Sequence, residues 1–462
     1  MNNRRDGYDI RVDLLYKNWR LRGGIQQRRN LGLGVGLAQA LDPVGLGNST
    51  RVNSDLSYQL RSIGKEQDWD IDFQLSFFNS SVESENDFRL FPAGADIGFG
   101  APFPDGVIGT PEIFEEHYRF NLVAKYKGFN RHQMDFGSGY AYRDLYRIKE
   151  RKNFSIGPNG QLIPPGSPIV DVSDTPYVFN QEGDRTSRYL FIQDRWDIAN
   201  DWQATSGLRY DHYSDFGGVF NPRFALVWST SLNLTSKFLY GKAFRAPSFA
   251  ETRNINNPVA LGNLNLKPET IETLEFALDY RVHKDLHLGG NIFWSDWTNI
   301  IKFVPDVGGA SNTAQNVGQQ ETYGVELEVD WQIIKNLSLK GNYASQKSHD
   351  QITEFRAPLV PNSQVYLRLD WKVKQNLSLH LTANRVMGRV RNILDFRPTI
   401  KDYTLVDFNA NWQLDLNNVE LSLRIKNLLD QDAREPTPFG QFIDNDLPLA
   451  GRQVYFQIGY KY

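Results

Sequence analysis

The 462-residue sequence has no cysteine, which excludes a disulfide framework, a thiolate metal site and a cysteine nucleophile together. It has no excess charge of one sign either. Its 51 Lys+Arg and 54 Asp+Glu give a formal net charge of -3, and the basic residues are spread along the chain, so no nucleic-acid footprint exists. With 40% hydrophobic residues and a mean hydropathy of -0.49, the chain is too polar for helical insertion into a membrane. Met1 to Ile10 carries no apolar core of an export signal. No Ser, His and Asp grouping stands out as a hydrolase site, so an enzyme is not expected, nor is a metal or cofactor.

What is present is alternation. Val325, Leu327, Val329, Trp331 and Ile333 alternate with Glu326, Glu328, Asp330 and Gln332, and the same period of two returns in Val406 to Leu414 and Val419 to Ile425. A transmembrane barrel needs only every second strand residue to be apolar, so average hydropathy does not detect it. Aromatic residues at 13% and 37 Gly suit interfacial girdles and long loops. Very short connections, such as Lys17-Asn18, Ile63 to Glu66, Lys127 to Asn130 and Asn200-Asp201, alternate with long polar ones at 80–114, 143–185 and 247–268. That asymmetry, with periplasmic turns short and outer loops long, is expected of a bacterial outer-membrane protein.

The hairpins predict nineteen strands: 8–16, 19–28, 54–62, 67–78, 117–127, 130–142, 187–198, 202–213, 221–229, 232–244, 270–281, 286–303, 318–333, 336–348, 363–373, 376–390, 402–415, 418–428 and 451–462. No amphipathic helix is evident. Bacterial single-chain barrels close with an even number of strands, so the expectation is a chain truncated at its N-terminus. Asp330-Trp331 with Asn336 to Leu339 is repeated about forty residues later as Asp370-Trp371 with Asn376 to Leu379. Such a period also suggests a propeller blade, but a blade needs four short strands where two long ones are read here. Val454, Phe456, Ile458, Tyr460 and Tyr462 keep one face apolar or aromatic to the last residue.

Tyr240 to Phe249 (YGKAFRAPSF), Gly262 to Thr270 (GNLNLKPET), Asn316-Val-Gly318, Tyr323 to Glu328, Lys426 to Asp430 and Pro448 to Arg452 resemble, in order, the landmarks of TonB-dependent receptor barrels. The resemblance implies an all-β fold, a transmembrane antiparallel up-and-down β-barrel, with residues 1–462 supplying about nineteen of the family's twenty-two strands. The plug domain and first strands are expected to be absent. It implies a monomer in outer-membrane lipid that imports a ferric siderophore or similar iron complex and meets the TonB complex only through a plug. Phe456, Ile458, Tyr460 and Tyr462 are similar to the signal read by the barrel-assembly machinery. Haem, cobalamin and glycan uptake stay open as alternatives, although residues 248 to 270 contain no His. So do a passive porin-like channel, a non-functional barrel fragment, a soluble propeller module and an incidental phage or bacteriocin docking surface.

The family motif covers Phe244, Arg245, Ala246, Pro247, Leu266, Lys267, Pro268 and Glu269. Pro247 removes a donor and fixes φ, so a strand end with Arg245 tied to neighbouring loops is weighed against ligand contact by Phe244 and Arg245. Phe88, Phe91, Phe99 and Phe103 suggest an aromatic vestibule wall, against loop self-packing. Tyr140, Tyr142 and Arg143 suit an anionic ferric catecholate, against an ordinary aromatic belt. Three signals are discounted. Gly32 to Ala38 mimics a dinucleotide loop without a βαβ unit, His283 and His287 flank a turn, and Asn48-Ser-Thr50 is a glycosylation acceptor irrelevant to a bacterial outer membrane.

Overall fold

The computed structural model describes residues 4–34, 41–98, 100–257, 260–307, 311–414, 419–437 and 445–460. Nineteen long strands run in chain order: β1 (Asp6–Tyr16), β2 (Trp19–Gly32), β3 (Leu46–Ile63), β4 (Trp69–Ser84), β5 (Val107–Tyr126), β6 (His132–Lys152), β7 (Gly183–Ala199), β8 (Trp202–Tyr213), β9 (Gly217–Ser231), β10 (Leu234–Arg245), β11 (Glu269–His283), β12 (Leu286–Pro305), β13 (Asn312–Ile334), β14 (Leu337–Asp350), β15 (Ser363–Lys374), β16 (Leu377–Met387), β17 (Tyr403–Gln413), β18 (Val419–Lys426) and β19 (Gln453–Tyr460). Each pairs antiparallel with its sequence neighbours to form one sheet.

The short turns set the register. Lys17-Asn18, Asn200-Asp201, Leu232-Asn233, Lys284-Asp285, Lys335-Asn336 and Gln375-Asn376 are two-residue turns whose second residue is Asn or Asp, a type that tolerates turn geometry. In each, that second residue's carbonyl accepts the N–H of a residue on the next strand beyond the hairpin, as in Gln59 of β3 to Asn18 at 2.9 Å and Lys372 of β15 to Asn336 at 2.8 Å.

Residues directly opposed across a ladder share a face, and the register therefore draws two continuous bands. One runs Leu14–Leu21–Leu56–Leu75–Phe120, then Phe238–Phe276–Ile292–Val325, then Leu369–Leu381–Phe408–Ile425–Val454. Most of its side chains are exposed to the surroundings, Ile292 at 57%. The other face carries Arg22–Asp55–Ser76–Arg119 and His380–Asn409–Arg424. Aromatic pairs crowd the short-turn end of the apolar face, among them Trp19–Tyr58 with ring centroids 4.5 Å apart and Trp202–Trp228 at 4.9 Å. Trp331 and Trp371 belong to this girdle and not to propeller blades.

Glycines on the polar face seat neighbouring rings. Gly139 opposes Tyr189, whose hydroxyl donates to Asn121 Oδ1 at 2.9 Å and whose ring lies 3.7 Å from the Arg209 guanidinium. A Cβ at Gly139 would sit 2.6 Å from Tyr189 Cζ. Gly139→Ala is therefore expected to destabilise the fold by about 1–3 kcal/mol through overpacking, read from urea unfolding in detergent micelles.

The outer halves differ from expectation. β5 starts ten residues before the predicted 117, and β6 continues to Lys152 instead of 142. A register shift between Phe114 and Glu115 inverts the faces there. Beyond it the strands are covered by their own connections: Leu145, Ile148, Val172, Val178 and Phe179 form a buried cluster. Lys152 is fully buried in this region, donating to the Tyr177 carbonyl at 2.5 Å and lying 3.3 Å from Glu150. Burial pushes the Glu150 carboxyl up to about 7 against the pull of Lys152.

Candidate functional site

The Tyr240–Phe249 stretch ends in a turn and one short helix, α1 (Phe249–Arg253), absent from the sequence reading. Ser248 accepts the Glu251 N–H and Glu251 returns a bond to the Ser248 N–H, a reciprocal cap. Arg245, last residue of β10, opposes Glu269, first of β11. Its guanidinium bonds Glu269 at 2.7 and 2.6 Å and Glu251 at 2.9 Å to each oxygen. Glu269 is only 2% exposed and also accepts the Ile301 N–H at 2.8 Å. These two carboxylates, Glu269 first, hold the Arg245 pKa above its ordinary range.

Pro247 is fully buried, and its carbonyl accepts from Arg185 Nη1 at 2.7 Å. Arg185 is itself held by Asp215 at 2.5 Å and lies 5.2 Å from the Phe249 ring. The second motif segment is tied in the same way. Asn316 donates to the carbonyls of Lys267 and Asn299 at 2.9 and 2.7 Å and accepts the Lys267 N–H at 2.8 Å, while Leu266 is buried. The motif residues thus form a latch across the outer ends of β7 to β13. Phe244 stands edge-on to Tyr213 and Phe216, with centroids 5.7 and 6.4 Å away. It lines a cavity of about 350 Å³ where the β9–β10 ladder stops at Arg223–Gly241, next to Pro222, which has no N–H to donate.

The other candidates separate. Phe88, Phe91 and Phe103 are buried, the last two packing with Val107 and Phe154, so the connection folds on itself. Phe99 lies outside the described residues. Tyr140, 49% exposed, opposes Phe120 on the apolar face, and Tyr142 shares that face with its hydroxyl 3.2 Å from Asp144. Arg143 points the opposite way, into a cavity of about 420 Å³ roofed by residues 246–250. Phe456, Ile458 and Tyr460 lie on the apolar face at 64, 66 and 57% exposure, and Tyr462 is outside the described residues. His287 pairs with Asp279 at 3.1 Å, while Asn48 to Thr50 lie within β3 and Gly32 ends β2. The rest of the Gly32 to Ala38 stretch is only partly described. Sequence reading missed Arg185 and Glu251 and met Asn316 only as part of a family landmark; of the two missed, Glu251 alone carried a readable signal, the capping box Ser248-x-x-Glu251.

A family model described as TonB dependent receptor-like, beta-barrel matches residues 2–428. The chain belongs to the TonB-dependent receptor β-barrel family. The iron-regulated outer membrane virulence protein of Vibrio cholerae (Classical Ogawa 395) is 27% identical over 427 residues, covering 82% of this chain and 61% of that protein. The ferrienterobactin receptor of Escherichia coli K12 is 23% identical over 273 residues, 52% of this chain and 36% of that one. The chain therefore spans less than two thirds of either curated relative. Among solved structures, a copper transporter, OprC, superposes with a TM-score of 0.73 at 16% identity, covering 98% of this chain and 71% of that one.

Within a TonB-dependent receptor barrel the apolar band is the lipid face in the bacterial outer membrane, the polar face lines the lumen, and the long connections lie outside. At that outer rim the connections after β16 and β18 are clasped. Arg391 bonds Asp446 at 2.5 Å, and Arg397 bonds Asp395 at 2.7 Å. Arg397 holds the Asp395 carboxyl down from 3.8 to about 2, and Arg391 lowers Asp446 against the effect of burial. A depressed carboxylate stabilises above its unfolded pKa and stops doing so as pH falls through the folded one. Pepsin cleavage within 388–402 and 445–450 is expected to rise sharply between pH 4 and about 2 while strands stay protected.

Proposed function

We propose that this chain is the barrel of an outer-membrane receptor for TonB-dependent uptake of a ferric siderophore or similar anionic iron complex. TonB acts through a plug segment and not on these strands, as the family's architecture implies. The observation that carries the reading is the basic balance of the lumen wall: Arg368, Arg424 and Lys426 outnumber Asp407 and Asp370, the latter paired with Arg368, around a recess of about 770 Å³. A field of that sign favours entry of an anion. The iron-linked names of the two curated relatives agree with it, and the latched turn keeps the outer rim over β7 to β13 rigid.

The test is deletion of the gene that encodes this chain, followed by growth on iron-depleted plates supplied with ferric enterobactin, ferric citrate, a ferric trihydroxamate or haemin, with cobalamin dependence scored separately. Loss of growth on a ferric siderophore, restored by the intact gene, supports the reading. Loss confined to haemin or cobalamin replaces it, and no loss on any supplement ends it.

A further inference from the structure

Among the described residues, three polar side chains that line the cavity under the 246–250 turn present an atom that makes no hydrogen bond within the protein. Asn180 is 3% exposed, and its buried Oδ1 accepts no hydrogen bond. His117 Nε2 is buried and lies 3.3 Å from Glu115 Oε2 in a geometry that aligns no hydrogen bond. Arg143 forms no ion pair or hydrogen bond. Its neighbour Arg185, by contrast, is fully committed to Asp215 and Pro247. Buried polar atoms are nearly always satisfied, so Asn180 Oδ1 and His117 Nε2, converging with the half-buried Arg143 on one space, mark a site whose partner arrives from outside.

We propose that this cavity is a binding subsite for one arm of the carried complex, an arm that ends in an anionic oxygen pair, catecholate or carboxylate. This rests on the siderophore reading above. Arg143 supplies the cation, in the two-pronged geometry that a guanidinium offers such a pair. Arg185 is matched by Asp215, so the charges left on the lining are Arg143 and Glu115, and the attraction for an anion comes from the unpaired Arg143 guanidinium itself. His117 and Asn180 supply further polar contacts, and Phe249 with Leu145 forms an apolar wall for a planar arm. The volume, about 420 Å³, lies near the low end of the roughly 300–1,000 Å³ range of small-molecule pockets, which suits an arm more than a whole complex. The roof is rigid because Arg185 and the Arg245 latch hold both sides of the turn.

The experiment measures binding of ⁵⁵Fe-labelled ferric enterobactin and ferric citrate to chilled cells expressing the intact receptor, with Arg143→Gln, Arg143→Lys and Ala250→Trp as variants. Ala250→Trp fills the cavity without removing a polar group. Heat-modifiable electrophoretic mobility shows that each variant assembles. Arg143→Gln is expected to weaken binding about tenfold, the scale of one charge-assisted contact, with partial recovery in Arg143→Lys and a similar loss in Ala250→Trp. Response of ferric enterobactin identifies a catecholate arm; response of ferric citrate identifies a carboxylate. Wild-type affinity in both Arg143→Gln and Ala250→Trp overturns the subsite while leaving the siderophore reading intact. So does a deletion phenotype confined to the uncharged ferric trihydroxamate. A deletion without any iron phenotype removes the reading itself.

Discussion

Arg245→Ala is expected to destabilise the latch by about 3–5 kcal/mol, the cost of leaving a buried carboxylate without its counter-charge. The penalty falls on Glu269 rather than on the arginine. Glu269 is 2% exposed, and after the substitution it keeps only the Ile301 N–H. Arg245 has a side chain 45% exposed, so it can regain water if its partner is removed. An asymmetry follows: Glu269→Gln, which preserves an acceptor for Ile301 and leaves Arg245 paired to Glu251, should cost much less than Arg245→Ala. Trypsin accessibility at Arg253 and Lys267, together with urea unfolding, reads both. Equal losses for the two single variants would show that the pair stabilises through its mutual bond alone, and the desolvation account would be wrong.

The second large effect tests the facing of the sheet with two adjacent residues. Ile292→Arg places a charge in the apolar band between Phe276 and Val325 and is expected to cost about 2–4 kcal/mol at bilayer mid-depth. Asn291→Arg, one residue away, points to the lumen, where Asn291 now donates to Glu275 and Glu326 at 3.2 and 3.4 Å. An arginine there meets two carboxylates and should be close to neutral. Refolding into phospholipid vesicles across a urea series measures the difference. A comparable penalty at both positions would sink the assignment of lipid and lumen faces.

The strand count and the short-turn ends were readable because three independent signals coincide there: alternation, a two-residue turn ending in Asn or Asp, and a nearby tryptophan. The predicted 202–213 and the observed Trp202–Tyr213 agree at both ends. The long-connection ends were not readable. Above the register shift at Phe114, the covered face of β6 carries Ile148, Glu150 and Lys152, one apolar and two charged side chains, so alternation of hydropathy carries no information about where the strand stops. Helix α1 has five residues, too few to establish a period. In the candidate site, the tie expected of Arg245 is present in its bonds to Glu269 and Glu251. Its partner Glu251 and the Arg185 clasp come from distant pairings: residues 185 and 247 are brought together only once β7 to β10 are aligned. Arg143 and Tyr142 are sequence neighbours with the same chemical appeal, and only the register shows that one looks into the lumen and the other toward lipid.

All nineteen strands pair with chain neighbours, and each two-residue turn ending in Asn or Asp offers a carbonyl to the next strand beyond its hairpin. Registration is therefore inherited hairpin by hairpin, with no global template needed to align distant segments. A copied or deleted hairpin brings or removes its own alignment rule, so the circumference of such a wall can change in steps of two strands without disturbing the remainder. What cannot be copied so freely is the latch at the outer rim, whose Arg185, Arg245, Glu269 and Asn316 come from four strands that must keep their spacing. The sheet is modular around its girth, and its mouth is the part that fixes how many strands stand between β7 and β13.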